Sequence, residues 1–355
     1  MEIINEDGFK GSHKGKPTAL YTLKNSNGMV VQITNFGGKI VSLYAPDRKG
    51  NLTDIVLGYD NIDDYIKGNP YFGAICGRYA NRIANGRFII DGKTYQLPIN
   101  NGLNSLHGGP EGFNNQVFDT KGVVKTKNGQ AVEMIYLSKD GEMGYPGTLN
   151  VNITYTLSDK NELTLDFEAE TNKATHVNIC GHSYFNLAGE GNGDIMGHEL
   201  SINSDKFTPV SDTLIPTGEL RPVAGTPMDF IKFKVIGKNI DDNYDQLEYG
   251  KGYDHNWVLN KKKKGELSLA ATCYEPKSGR VMEVFTTQPG VQLYTGNWLD
   301  GNDKGKGGKP YLMRSGLCLE TQNFPDSPNK PNFPSTLLKP DQIYKHSCIY
   351  KFSSK

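Results

Sequence analysis

Apolar and polar positions alternate with a period of two through most of this chain, the spacing of strands that set one face against a core. In residues 151–157 (VNITYTL), Val151, Ile153, Tyr155 and Leu157 share one face. After the polar interruption SDKNE, residues 163–169 (LTLDFEA) offer Leu163, Leu165, Phe167 and Ala169 as a matching face. The pattern predicts an antiparallel hairpin with one buried and one wetter side. A second hairpin is predicted from Arg87 to Leu97, turning at Asp91-Gly92, a pair that tolerates the positive φ of a two-residue turn. Further strands are predicted at 29–34, 40–44, 132–137, 257–259, 267–273, 281–285 and 316–320. Helices should be few and short, one of them a turn through Asp63, Asp64 and Tyr65 capped by the Asn61 side chain.

Composition supports this reading: 41 glycines, 18 prolines and 10% aromatic residues suit many short strands and tight turns. A length of 355 residues would accommodate two domains of ordinary size. No linker-like stretch or long repeat divides the chain, and the β pattern runs end to end. The expectation is one all-β domain, a large antiparallel β-sandwich, over residues 1–355.

Lys plus Arg and Asp plus Glu each number 39, so the formal net charge is zero, which argues against nucleic acid or an anionic membrane as partner. No apolar run is long enough to span a bilayer. The first 25 residues hold no apolar secretory segment, so the expected location is cytoplasmic. The run Lys261 to Lys264 reads as a solvated hairpin tip, and Gly301 to Lys309 (GNDKGKGGK), lacking the spacing of a phosphate cradle, as a mobile loop. The five cysteines are widely spaced and include no C-x-x-C pair, which speaks against a disulfide framework or a thiolate zinc site. Cys318, between Leu317 and Leu319, reads as a small buried apolar residue.

Five segments carry candidate chemistry. In GRYANRIANGRF, Asn81 and Arg82 lie among glycines and small residues that permit close approach of a ligand. In NSLHGG, His107 is exposed by two following glycines. His176, Cys180 and His182 share strand parity and offer a conceivable metal cluster, but a bulge expected at Gly181 would break that register. Asp254 sits among aromatics in GYDHNW. Glu320 ends an apolar strand and must face away from Leu317 and Leu319, on the side of Cys318 and Gln322. A carboxylate there needs a partner or a task. His182 and Glu320 offer an acid-base pair, and Tyr184, Trp298 and Phe324 offer faces for the C–H side of a pyranose. The composite suits a sugar site.

The segments GRYANRIANGRF, NSLHGG, HSYFNLAG, TLIPTGEL, GYDHNW, PGVQLYTGNWL and LETQNFPDSPN, in this order, resemble the motifs of the aldose 1-epimerase, or galactose mutarotase, family. The resemblance covers nearly the whole chain and implies an antiparallel β-sandwich that interconverts the α and β anomers of free aldohexoses. It implies His182 as general acid and Glu320 as general base, with Asn81, Arg82, His107, Asp254 and Gln292 binding the sugar and Tyr184 beside it. It implies no cofactor, no metal and no macromolecular partner, and leaves the oligomeric state open. Two departures stand out: Gly181 where Asn commonly precedes the catalytic His, and Asn114-Asn115-Gln116 where a basic residue and a Trp are common.

Opening a hemiacetal removes a proton from the C1 hydroxyl and delivers one to the ring oxygen, so two groups of opposite protonation state fit the task. From ordinary values, Glu320 is expected ionised and His182 protonated in the resting enzyme. Three rivals remain: a glycoside hydrolase using Glu320 and Asp254, a sugar-binding protein without turnover, and a hexose-phosphate epimerase. The last would want an arginine cluster, and only Arg78, Arg82 and Arg87 lie near the motifs.

Overall fold

The computed structural model describes residues 3–68 and 70–355. Its largest sheet has nine strands in the order Val123–Thr126, Gly129–Ser138, Leu149–Leu157, Glu162–Thr171, Tyr344–Ser354, Arg280–Thr286, Ser268–Tyr274, Glu199–Ile202 and Lys234–Val235, all paired antiparallel. A five-stranded sheet runs Arg221–Pro222, Lys206–Thr208, Asp254–Val258, Gly290–Tyr294 and Cys318–Gln322. A four-stranded sheet is formed by Leu20–Lys24, Val30–Thr34, Lys39–Pro46 and Leu52–Asp54. The described residues include two α-helices, Ile62–Lys67 and Asp245–Gly250, of six residues each. None is long and apolar enough to cross a membrane. The protein is all-β with an antiparallel sandwich architecture, as the alternation predicts.

The predicted hairpin forms with the predicted faces turned to the core, pairing Val151 with Ala169, Ile153 with Phe167 and Tyr155 with Leu165, all buried. These side chains join Val31, Ile33 and Leu43 of the four-stranded sheet and Leu293 and Leu319 of the five-stranded sheet in one apolar cluster. Each fully buried Leu, Ile or Phe contributes about 1.5–3 kcal/mol of transfer free energy. The Arg87 hairpin turns through Asp91 at φ 49° and Gly92 at φ 78°, the two positive values of a type I′ turn. Asn61 accepts the Asp64 N–H at 2.9 Å and caps the first helix.

Three local expectations are corrected. Lys261 to Lys264 is no hairpin tip: the strands on either side, Asp254–Val258 and Ser268–Tyr274, belong to different sheets, so the segment crosses between layers. Lys261 turns inward, its Nζ donating to Glu266 O and Ser268 Oγ, while 262–264 stay exposed. Gly301 to Lys309 is pinned rather than loose. Lys306 is buried with its Nζ 2.5 Å from Asp54 Oδ2, Gly307 N–H donates to Asp60, and Tyr59 donates to Asp303. Finally, Gly181 forms no bulge: Cys180, Gly181 and His182 pair in unbroken register with Cys76, Ile75 and Ala74.

Candidate active site

Strand alternation divides the five-stranded sheet into a core face and a polar face. Leu293, Leu319, Val291 and Trp257 enter the core, so Gln292, Glu320, Asp254 and Asn256 face the other way. Asn256, Gln292 and Glu320 stand side by side across three strands. Gln292 Nε2 donates to Asp254 Oδ1 at 2.7 Å, and Gln322 Nε2 donates to Gln292 Oε1 at 3.3 Å. Both acidic side chains are therefore set on a rigid sheet, and that of Asp254 is braced by an amide from behind.

The strand Cys180–His182 brings the imidazole alongside. His182 Nε2 lies 3.5 Å from Glu320 Oε1, both side chains almost fully buried. Behind the pair, Cys180 Sγ is 3.6 Å from Glu320 Oε2 and Cys318 Sγ is 3.6 Å from His182 Nδ1. Cys180 and His182 thus share a face as their parity predicts, and Gly181 faces the core, where an added Cβ would lie 3.3 Å from Leu165 Cδ2. The departure at Gly181 concerns packing behind the strand. His176 is elsewhere, with Nδ1 2.9 Å from Thr336 Oγ1 and its ring against Phe88, so the conceived cluster of His176, Cys180 and His182 does not form.

His107 and Asn81 hold each other. The Asn81 backbone N–H donates to His107 Nδ1 at 3.1 Å and the His107 N–H donates to Asn81 O at 3.0 Å. The chain then turns tightly at Gly108, φ 90°, where a Cβ would lie 2.0 Å from Gly77 O; only glycine fits. This sets the His107 ring 5.1 Å from that of His182. Arg82 donates from Nε to Asn101 Oδ1 at 2.9 Å and places NH1 3.7 Å from Asp254 Oδ2.

Asn81, Arg82, His107, His182, Tyr184, Asp254 and Glu320 all line one cavity of about 750 Å³. Gln292 stands behind Asp254 and outside that lining. Trp298 lies on the rim, 49% exposed. Phe324 is buried against Phe333 and does not line the cavity. Asn114, Asn115 and Gln116 are not in the lining either; Gln116 donates to Glu111 O and Asn115 to Pro110 O. Arg78 is spent on the carbonyls of Pro146 and Gly147, leaving Arg82 as the arginine in the lining.

Sequence reasoning passes over Tyr71 and Tyr294. Tyr71 packs at a tilt 4.7 Å from His107 and 5.8 Å from His182 between ring centroids, and Tyr294 is 6.3 Å from His182. Tyr71 adopts φ 61°, and nothing in its neighbours Pro70 and Phe72 signals a site. Cys318 is buried as expected, but its sulfur is directed at the imidazole rather than into apolar packing alone.

Burial sets the charge states. It pushes the Glu320 carboxyl up to about 8, the Asp254 charge adding to the effect, and pushes His182 down to about 4. His107 is driven well below its ordinary value by burial, with His182 and Arg82 acting in the same direction. The expectation of an ionised Glu320 beside a charged His182 is therefore corrected for the sugar-free site. Both shifts favour the uncharged forms, the carboxylic acid and the neutral imidazole, because burial strips hydration from either charge.

His107, His182 and Glu320 offer ligand atoms within 4.8 Å of one another, close enough to suggest a metal. The donor chemistry fits hydrogen bonding better. His107 Nδ1 accepts the Asn81 N–H, so the neutral ring carries its proton on Nε2 and has no lone pair there for a cation.

The sequence profile of the aldose 1-epimerase family matches residues 19–351. The chain is 47% identical to galactose mutarotase of Sus scrofa over 353 residues, 99% of each chain. It is 37% identical to aldose 1-epimerase of Escherichia coli K12 over 340 residues, 95% of this chain and 96% of that one. Among solved structures, an aldose epimerase homologue from C. elegans superposes with TM-score 0.86 at 30% identity, covering 95% of this chain and 99% of the other. Galactose 1-epimerase from Lactobacillus acidophilus superposes with TM-score 0.85 at 28% identity, covering 97% of each. With matching motifs, fold and near-complete coverage, the chain belongs to the aldose 1-epimerase family, a family of isomerases.

Proposed function

We propose that this protein interconverts the α and β anomers of free aldohexoses such as galactose and glucose, with His182 and Glu320 carrying the protons. The observation that supports this most is the 3.5 Å approach of His182 Nε2 to Glu320 Oε1 in a cavity walled by hydrogen-bonding groups. One unit over residues 1–355 is the matching domain reading, supported by an apolar cluster that draws on positions from Leu23 to Phe352.

Ring opening needs one proton removed from the C1 hydroxyl and one supplied to the ring oxygen. The resting pair already holds one proton between two atoms 3.5 Å apart. A bound pyranose whose hydroxyls donate to Glu320 stabilises its carboxylate, and the proton passes to His182. Glu320 then takes the C1 proton while His182 Nε2 protonates the ring oxygen. Rotation about C1–C2 turns the other face of the aldehyde, and the two transfers run backwards on closure. The pair ends as it began.

Arg82, Asn81, His107 and Asp254 hold the remaining hydroxyls, so C1 is fixed against Glu320 before any bond changes. Tyr184 packs beside His182, with ring centroids 5.1 Å apart. Its hydroxyl donates to Pro70 O at 2.7 Å, leaving the ring face as its contribution. The substrate is a free sugar because the C1 hydroxyl must carry a proton.

Polarimetry of fresh α-galactose and α-glucose tests this. Glu320→Gln and His182→Asn should each slow mutarotation about 10²- to 10⁴-fold, the usual worth of a positioned proton transfer. Wild-type rates in either variant would overturn the roles. Turnover of a methyl glycoside would indicate a hydrolase, and binding without any rate enhancement would indicate a sugar-binding protein.

A further inference from the structure

Each member of the proposed proton-carrying pair has a thiol at its rear atom. Cys318 Sγ lies 3.6 Å from His182 Nδ1, and Cys180 Sγ lies 3.6 Å from Glu320 Oε2. The front atoms, Nε2 and Oε1, are thereby left facing one another at 3.5 Å. Cys318 and Glu320 sit two positions apart on one strand, and Cys180 and His182 two positions apart on another, so each strand supplies one proton carrier and the thiol behind the other. This crossed arrangement follows from period-two geometry on two strands whose side chains meet.

We propose that Cys318 and Cys180 are positioning residues: the Cys318 sulfur accepts the His182 Nδ1–H and fixes the tautomer that leaves the Nε2 lone pair facing Glu320, and the Cys180 thiol donates to Glu320 Oε2 and fixes the carboxyl plane. The inference rests on the proposed roles of His182 and Glu320. A neutral imidazole carries a single N–H, and a hydrogen on Nδ1 leaves Nε2, the nitrogen facing Glu320, free to take the carboxyl proton.

Both sulfurs are fully buried, and burial keeps both thiols protonated, with Glu320 acting in the same direction. Cys180 thus has a hydrogen to give, and the Cys318 sulfur has lone pairs to accept one. The opposite tautomer is imposed on His107, where the Asn81 backbone N–H donates to Nδ1. One imidazole thus presents an N–H to the cavity and the other a lone pair, the first set by backbone and the second by sulfur.

Serine and alanine at these positions separate hydrogen bonding from packing. Cys318→Ala, lacking the acceptor, should lower kcat about two- to tenfold, the worth of one neutral hydrogen bond, with KM little changed. Cys318→Ser, which keeps an acceptor in its hydroxyl oxygen, should recover most of that loss. Cys180→Ala and Cys180→Ser should behave in the same order. Imidazole ¹⁵N chemical shifts of the sugar-free protein should show His182 Nδ1 protonated in wild type and Cys318→Ser, and a mixture of tautomers in Cys318→Ala.

Equal impairment of the serine and alanine variants would reduce the thiols to packing and overturn the proposal. So would a wild-type kcat and an unchanged ¹⁵N pattern in Cys318→Ala. The ¹⁵N measurement needs no turnover, so an inactive wild type would sink the functional reading while still deciding whether sulfur sets the tautomer.

Discussion

Gln292 stands directly opposite Glu320 on the neighbouring antiparallel strand, yet its amide donates to Asp254 at 2.7 Å. The carboxyl proposed to exchange protons thus receives no amide donor among the described residues, while the carboxylate proposed to bind hydroxyls is held still. Gln292→Ala should therefore weaken sugar binding more than it slows chemistry. Loss of one hydrogen bond to a charged group predicts a rise in KM of about tenfold or more, with kcat within about threefold of wild type. Steady-state polarimetry over a range of galactose concentrations measures both.

Catalysis as proposed requires one proton on the His182–Glu320 pair. With Glu320 pushed to about 8 and His182 to about 4, kcat/KM should be flat between those limits. It should fall as pH rises through about 8, where the pair loses its proton, and as pH falls through about 4, where His182 gains a second. Asp254→Asn removes a negative charge that raises the Glu320 value, so its alkaline limb should shift to lower pH. An alkaline limb that stays in place in this variant would contradict the assignment.

The same shift makes stability depend on pH. Glu320 moves from 4.5 to about 8 on burial, so the folded protein retains a proton that the unfolded chain releases in between. Its contribution is fully present below about 4.5 and is lost as pH rises through about 8. Glu320→Gln removes this loss. In urea unfolding, the stability of the variant relative to wild type should increase from pH 5 to pH 9. His182, displaced in the opposite direction, is common to both proteins and subtracts out.

Lys306 anchors a cavity wall. Its Nζ reaches Asp54 Oδ2 at 2.5 Å and Val56 O at 2.7 Å, and the segment it fastens follows Trp298, Leu299 and Asp300 of the lining. Lys306→Met should cost about 3 kcal/mol, since it leaves the Asp54 carboxylate, 12% exposed, without its cation. The wall should loosen and KM should rise. Adding Asp54→Asn should restore part of the stability, and denaturant titration of the single and double variants would measure the coupling.

Much of the architecture was legible in the alternation itself, because a strand with one buried face admits few other patterns. Val151 to Leu157 and Leu163 to Ala169 are the clearest case, down to which side chains turn inward. Strand parity also placed Glu320 on the face of Cys318 and Gln322. Less legible was anything set by contacts between distant segments. Lys306 looks mobile in a Gly-Lys run because its partner, Asp54, is far away in sequence, and Tyr71 has no local signature because its contacts with two histidines form only in the fold. The resting charge state was misread because ordinary side-chain values assume water, and the fold leaves Glu320 and His182 almost none.

Glu320, His182 and Asp254 are carried by strands, whereas Tyr71, His107, Leu103, Asp212 and Trp298 reach the cavity from turns and connections. On the proposed roles, what reacts is therefore anchored in sheet, and much of what would recognise the sugar is mounted on replaceable parts. Grafting the connections around Leu103, Asp212 and Trp298 from a relative should then exchange the preference for one sugar over another while leaving the strand-borne His182 and Glu320 in place.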